Sequence, residues 1–259
     1  MDLELSDRVV MVTGGSDGLG RALCRRLVAE GTGVALCGRD PDKLAATEAE
    51  LEDRGGKVLA VQCDVTDPEQ LERFLAVTIE RFGRLDGLVN NAGRAAAMTV
   101  AETSDDDWDA DLSLKLYAAI RLTRLALPHL AASDQASIVN VLAIAGKAPG
   151  ARSSPTSVAR AAGLALTKSL SKELGPEQIR VNAVLIGLIE SGQWIRMATA
   201  SGAEVGDLYE QLARGSDIPL GRVGRAEEFG DLVAYLLSAR SSYVTGTAIN
   251  LDGGLSPVS

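Results

Sequence analysis

The apolar run Val9–Val12 leads directly into Thr13-Gly14-Gly15-Ser16-Asp17-Gly18-Leu19-Gly20, and few junctions constrain a fold as tightly. Glycines at this density let the backbone turn sharply and let a ligand approach it closely. Where such a turn links a strand to a helix, unpaired N–H groups and the positive end of the helix dipole face outward together. That arrangement suits a pyrophosphate. The segment therefore predicts a dinucleotide-binding β-α-β unit, with Gly14, Ser16, Asp17, Gly18, Leu19 and Gly20 around the phosphates.

The remainder of the chain continues the rhythm. Apolar runs at Val9–Thr13, Gly33–Gly38, Lys57–Cys63, Leu85–Asn90, Ser137–Leu142, Arg180–Leu185 and Thr247–Leu251 read as strands. Amphipathic stretches at about 18–30, 41–54, 67–82, 104–131, 154–174 and 226–238 read as helices. Strands that alternate with helices and are apolar along nearly their whole length belong to a parallel sheet covered on both faces. The expected fold is thus α/β: one Rossmann-like, doubly wound domain over 1–259 with a seven-stranded parallel sheet. Residues 187–217, rich in glycine and with only a short helical pattern, follow the sixth strand where such sheets bind ligands. They are expected to form a substrate lid.

Composition narrows the function. A net charge of −9 without a block of Lys or Arg argues against nucleic acid and anionic membrane as partners. Asp105-Asp106-Asp107, with Asp109 and Asp111, follows Thr103-Ser104 and reads as the solvated start of a helix. Cys24, Cys37 and Cys63 are widely spaced and odd in number, which suggests reduced, buried thiols in a cytoplasmic protein. His129 is the single histidine, so it has no imidazole partner for a metal and is expected to be structural; no metal site is expected. The chain shows neither a leader pattern nor a membrane-length apolar run.

Several further motifs recur in order. The Gly-x-x-x-Gly-x-Gly spacing, Asp64-Val65, Asn90-Asn91-Ala92-Gly93, Pro219-Leu220-Gly221-Arg222 and Thr245-Gly246 with Asp252-Gly253-Gly254 resemble the short-chain dehydrogenase/reductase family nearly end to end. The resemblance implies that Asp64 and Val65 contact adenine, that Asn91, Ala92 and Gly93 line the cofactor cleft, and that Ile189 and Ser191 meet the nicotinamide amide. It also implies a homotetramer or homodimer paired through the helices at 104–131 and 154–174. The second strand ends Cys37-Gly38-Arg39, with no acid before Asp40. A guanidinium there can pair with a 2′-phosphate and Ser16 can add a hydroxyl, so NADP(H) is expected over NAD(H). Asp17 and Asp40 lie close enough in sequence to reach the same pocket.

The family's catalytic Asn, Ser, Tyr and Lys are all replaced. Matching the fifth strand puts Ala143 at the Ser position, Thr156 at that of Tyr and Arg160 at that of Lys, and counting back from Leu127-Pro128 puts Lys115 at that of Asn. Thr156 is a poor proton donor beside a phenol, and Arg160 holds its charge at any working pH, although it can bind ribose hydroxyls or an anion. Lys115, Thr156 and Arg160 are the candidate catalytic residues, suited to a small anionic or enolisable substrate. Some members of the family place their tyrosine outside the usual motif, and Tyr117 and Tyr209 are candidates here. Three readings stand: an oxidoreductase with a rebuilt site; an NADP(H)-binding sensor or structural protein without turnover; or non-redox chemistry such as enolisation, cyclisation or decarboxylation.

Overall fold

The computed structural model describes residues 2–202 and 204–259. Seven parallel strands form the main sheet: β1 (Val9–Thr13), β2 (Gly33–Gly38), β3 (Val58–Gln62), β4 (Gly87–Asn90), β5 (Ser137–Ala143), β6 (Arg180–Ile186) and β7 (Ala248–Leu251). Their order is β3-β2-β1-β4-β5-β6-β7. The chain winds outward in one direction from β1 and in the other from β4. The sheet therefore has a crevice at the carboxyl ends of β1 and β4, where a doubly wound fold places its ligand.

Helices cover both faces. On one, α1 (Gly18–Ala29), α2 (Pro41–Asp53) and α9 (Ala226–Leu237) bury Leu23, Leu27, Leu51, Phe229 and Val233 against the sheet. On the other, α3 (Pro68–Phe82), α5 (Ala118–Leu130) and the end of α6 (Thr156–Glu173) enclose Phe74, Leu122, Leu130 and Ile179. Aliphatic side chains dominate both layers, as the 3% aromatic content requires. Strand positions match the expectation to within one or two residues. The three cysteines are free and buried.

Two expected elements differ. The helix foreseen at 104–131 is α4 (Asp105–Leu112), a π-helical turn (Ser113–Tyr117) and α5 in succession. A π-turn widens the helix by one residue and commonly marks a functional position. Residues 187–217 are more helical than their glycines suggested, forming α7 (Gly192–Ser201) and α8 (Val205–Gly215). Of that predicted lid, Ala203 lies outside the described residues. Among the described residues no helix is long and apolar enough to cross a membrane, and no group of three or more His, Cys, Asp or Glu is placed to hold a metal ion.

Candidate active site

The glycine-rich turn is built as a cradle. Gly14 has φ +66°, and a Cβ on Gly20 would collide with the Gly14 carbonyl oxygen, so side chains are excluded from both positions. Asp17 caps α1, its carboxylate accepting from the Gly18 N–H at 2.8 Å. The Asn-Asn-Ala-Gly segment is tied to this turn. Asn91 donates from Nδ2 to the Thr13 and Gly14 carbonyls at 2.8 and 3.1 Å, and the Ala92 N–H reaches Thr13 Oγ1 at 3.0 Å. Asn90 continues the tie sideways, donating to Asn140 at 2.9 Å, and Asn140 in turn donates to Thr167 on α6. Sheet, turn and α6 are thereby held in one register.

A cleft of about 720 Å³ opens above this cradle. Every residue expected to meet the cofactor lines it: Gly14, Ser16, Asp17, Gly18, Leu19, Gly20, Arg39, Asp64, Val65, Asn91, Ala92, Gly93, Arg160, Ile189 and Ser191. Its size lies within the range of small-molecule sites, and the cradle fits a dinucleotide. The two acids close enough in sequence to oppose a 2′-phosphate also line the cleft, and each is hydrogen-bonded within the protein. Asp40 caps α2, accepting from the Asp42 and Lys43 N–H groups at 3.1 Å each. Asp17 accepts from Lys43 Nζ at 2.7 Å and from Arg196 of α7 at 3.0 Å, and these partners hold its carboxyl below the usual range despite burial. Arg39 is exposed in the cleft wall and has no ion-pair partner among the described residues.

At the other end of the cleft lie Ala143, Thr156 and Arg160. Thr156 opens α6, and its Oγ1 accepts from the Ala96 N–H and stands 3.0 Å from the Ala96 carbonyl. Lys115, turned inward by the π-turn, donates from Nζ to Thr156 Oγ1 at 2.8 Å and to Asp111 one helical turn earlier. The Lys115 side chain is 0% exposed and that of Asp111 2%. Burial pulls the Lys115 ammonium down to about 8, the largest influence on it; Asp111 opposes this, while Arg160 and Arg94 add to it. Arg160 is buried, donates to the Val141 carbonyl at 2.6 Å and leaves Nε without a partner. Desolvation lowers it to about 10, so it remains charged at neutral pH. Gly93 makes room for it, since a Cβ there would lie 2.8 Å from Arg160 Nη2.

The structure thus brings Lys115, Thr156 and Arg160 together, but not equivalently. Thr156 and Arg160 line the cleft, whereas Lys115 stands behind Thr156, on a small pocket of about 20 Å³ shared with Arg160. Ala143 lines the cleft and offers no hydroxyl. Neither candidate tyrosine is among the residues that line the cleft. Tyr117 is exposed and stacks beside Arg121, its ring 5.6 Å from the guanidinium. Tyr209, on α8, packs among Ala213, Ile218 and Val223 and is hydrogen-bonded to the backbone of Ser191, which lines the cleft. Asp111 corrects the sequence reading. Ser104 and Asp107 do form a capping box at the start of α4, but Asp111, on the inner face two turns on, is a buried ion-pair partner and not a solvated acid. Its spacing of four from Lys115 was the available signal.

Comparison with known proteins agrees with this fold. Residues 14–256 match the family model described as enoyl-(acyl carrier protein) reductase. The chain is 32% identical to the 3-oxoacyl-[acyl-carrier-protein] reductase of Thermotoga maritima over 98% of this chain and 99% of that one. It is 36% identical to a putative ketoacyl reductase of the granaticin polyketide synthase of Streptomyces violaceoruber, over 95% of each. Among solved structures, the NADPH-bound short chain oxidoreductase of Pseudomonas aeruginosa PAO1, described as containing an atypical catalytic center, superposes with a TM-score of 0.93 at 40% identity, covering 98% of this chain and 99% of that one. The L-sorbose reductase of Gluconobacter frateurii, complexed with NADPH and L-sorbose, gives 0.94 at 32% identity over 100% of both. From the glycine-rich cradle to the C-terminal segments, the chain belongs to the short-chain dehydrogenase/reductase family.

Proposed function

We propose that this chain is an NADP(H)-dependent oxidoreductase whose substrate end is rebuilt around Lys115, Thr156 and Arg160. The observation that carries the reading is the 2.8 Å hydrogen bond from Lys115 Nζ to Thr156 Oγ1, which puts a cation-polarised hydroxyl in the wall of the cleft that holds the glycine cradle. A nicotinamide dinucleotide supplies or accepts the hydride when bound. The chain's own residues orient the substrate and polarise its oxygen, and orientation alone accounts for a large part of many catalysed rates. Arg160 holds charge next to the reacting centre without relaying a proton. NADP(H) is favoured over NAD(H) because Arg39 is exposed in the cleft wall to meet a 2′-phosphate, while Lys43 and Arg196 offset the charge of Asp17 and Asp40 caps α2. The NADPH-bound relatives support the same choice.

The substrate is a small molecule bearing a carboxylate, enolate or enolisable oxygen. Asp111 compensates the charge of Lys115, so the attraction rests on Arg160 and on Arg94, which lines the same end of the cleft. The protein works as a homotetramer or homodimer through the helices at 104–131 and 154–174, the second of which exposes Val158 beside Ala161 and Ala165. Three free thiols suit the cytoplasm. A second reading, NADP(H) binding without turnover, is favoured by one observation: among the described residues no tyrosine lines the cleft. A panel of ketones, enones and alcohols with NADPH or NADP⁺, followed at the nicotinamide absorbance, separates the two. Turnover of any class supports the oxidoreductase; tight cofactor binding with none selects the second reading.

A further inference from the structure

Resting on the oxidoreductase reading, we infer that Asp111 is a positioning residue that keeps Lys115 protonated beneath Thr156, so that Lys115 delivers a proton to the substrate oxygen through the Thr156 hydroxyl. The geometry supplies each link. Thr156 Oγ1 accepts from Lys115 Nζ at 2.8 Å and from the Ala96 N–H at 3.0 Å, which occupies both of its acceptor sites. Its one proton is directed at the Ala96 carbonyl and is free to swing to an oxygen in the cleft. A hydroxyl that accepts from a cation gives up its own proton more readily than an isolated aliphatic alcohol.

A reduced nicotinamide dinucleotide, when bound, would supply the hydride to the substrate carbonyl carbon, and the C=O π pair would move to oxygen. That oxygen takes the Thr156 proton while Thr156 Oγ1 takes one from Lys115 Nζ. Lys115 is left as a neutral amine beside the Asp111 carboxylate, and bulk water restores its proton after product leaves. Without Asp111 the charged groups facing Lys115 would be Arg160 from α6 and Arg94 from the loop after β4, both of which drive its proton off. Asp111 is the group that opposes them. Its second oxygen, Oδ2, is buried without a partner, a cost unexplained by helix formation.

Two measurements on wild type, Asp111→Asn and Asp111→Glu test this. The first is an NMR titration of the Lys115 side chain in protein without cofactor, which needs no substrate. Lys115 should titrate near 8 in wild type, at lower pH in Asp111→Asn, and close to wild type in Asp111→Glu. The second is reduction of the best substrate from the panel against pH. The basic limb should move to lower pH in Asp111→Asn and the rate at neutral pH should fall about 10²-fold, the lower end for general acid catalysis. NADPH affinity and melting of the cofactor complex report that the fold persists. An unmoved Lys115 titration, or an unchanged rate profile in a folded Asp111→Asn protein, overturns the inference. If no substrate turns over in wild type, the oxidoreductase reading and its proton delivery fall together, whereas a failed titration alone removes only the role of Asp111.

Discussion

Replacing the buried pair as a unit, Asp111→Leu with Lys115→Met, should leave the protein as stable as wild type, whereas Lys115→Met alone should not. Both side chains are almost wholly out of water. Removing one partner strands a buried charge at a typical cost of about 3–5 kcal/mol, while exchanging both for apolar groups of similar size is often neutral or stabilising. For a domain of this size the single variant should melt roughly 10 °C lower. The depressed lysine gives an independent sign. Its folded value of about 8 lies below the 10.5 of an unfolded lysine. Between those values the unfolded chain holds a proton that the folded chain has released, so stability rises with pH across that window. The displacement corresponds to about 3 kcal/mol in all, at about 1.4 kcal/mol per pH unit. The double variant should lose this slope. Urea unfolding from about pH 7 to about pH 10.5, the span that brackets the two values, would read both effects. A double variant as unstable as Lys115→Met would refute the reasoning, because it would mean that the pair holds the fold together. A stable but inactive double variant would show that the desolvation of this pair is tolerated for chemistry.

Other consequences are simpler to test. Arg39→Ala should weaken NADPH binding by about tenfold or more, as loss of a charge-assisted contact to phosphate implies, and leave NADH binding unchanged in calorimetry; equal wild-type affinities for the two would sink the assignment. Arg94→Ala should raise KM for carboxylate-bearing substrates while kcat holds, the pattern of lost uniform binding. Light scattering at micromolar concentration should show a dimer or tetramer, and a monomer would contradict pairing through the helices at 104–131 and 154–174.

Most of the architecture was legible because a two-sided parallel sheet writes itself as apolar runs of fixed length. Val9–Thr13 and Gly33–Gly38 coincide with β1 and β2 residue for residue. The cofactor cleft was legible for a related reason: backbone geometry there demands glycine, and glycine at Gly14 and Gly20 cannot be disguised. Side-chain direction was not. Nothing in a continuous helical pattern announces the π-turn at Ser113–Tyr117, which turns Lys115 inward and Tyr117 outward. Asp111 was hidden among acids that cap and solvate the start of α4, and only its distance of four from a lysine set it apart. The helical content of residues 187–217 was underestimated because glycines there fall at helix ends, Gly192 at the start of α7 and Gly202 at its C-cap.

The pair also changes what a restored active site would require. Reinstating the family pattern means Lys115→Asn, Ala143→Ser, Thr156→Tyr and Arg160→Lys. On residue types alone these four exchanges look sufficient for generic ketone reduction. The structure makes them insufficient, because Lys115→Asn takes away the cation hydrogen-bonded to Asp111, which is 2% exposed. A buried carboxylate without its partner loses stability, and its negative charge also disfavours ionisation of a phenol beside it. The four-site variant should therefore fold poorly or reduce ketones slowly. Adding Asp111→Leu as a fifth change should restore the melting temperature. It should also give reduction of simple ketones through the phenol that Thr156→Tyr introduces, in the manner usual for the family, with loss of the native reaction. Steady-state rates and melting curves of the four-site and five-site proteins make the comparison. Equal behaviour of the two would show that Asp111 and Lys115 are not a functional unit, and that the rebuilt site depends on Thr156 and Arg160 alone.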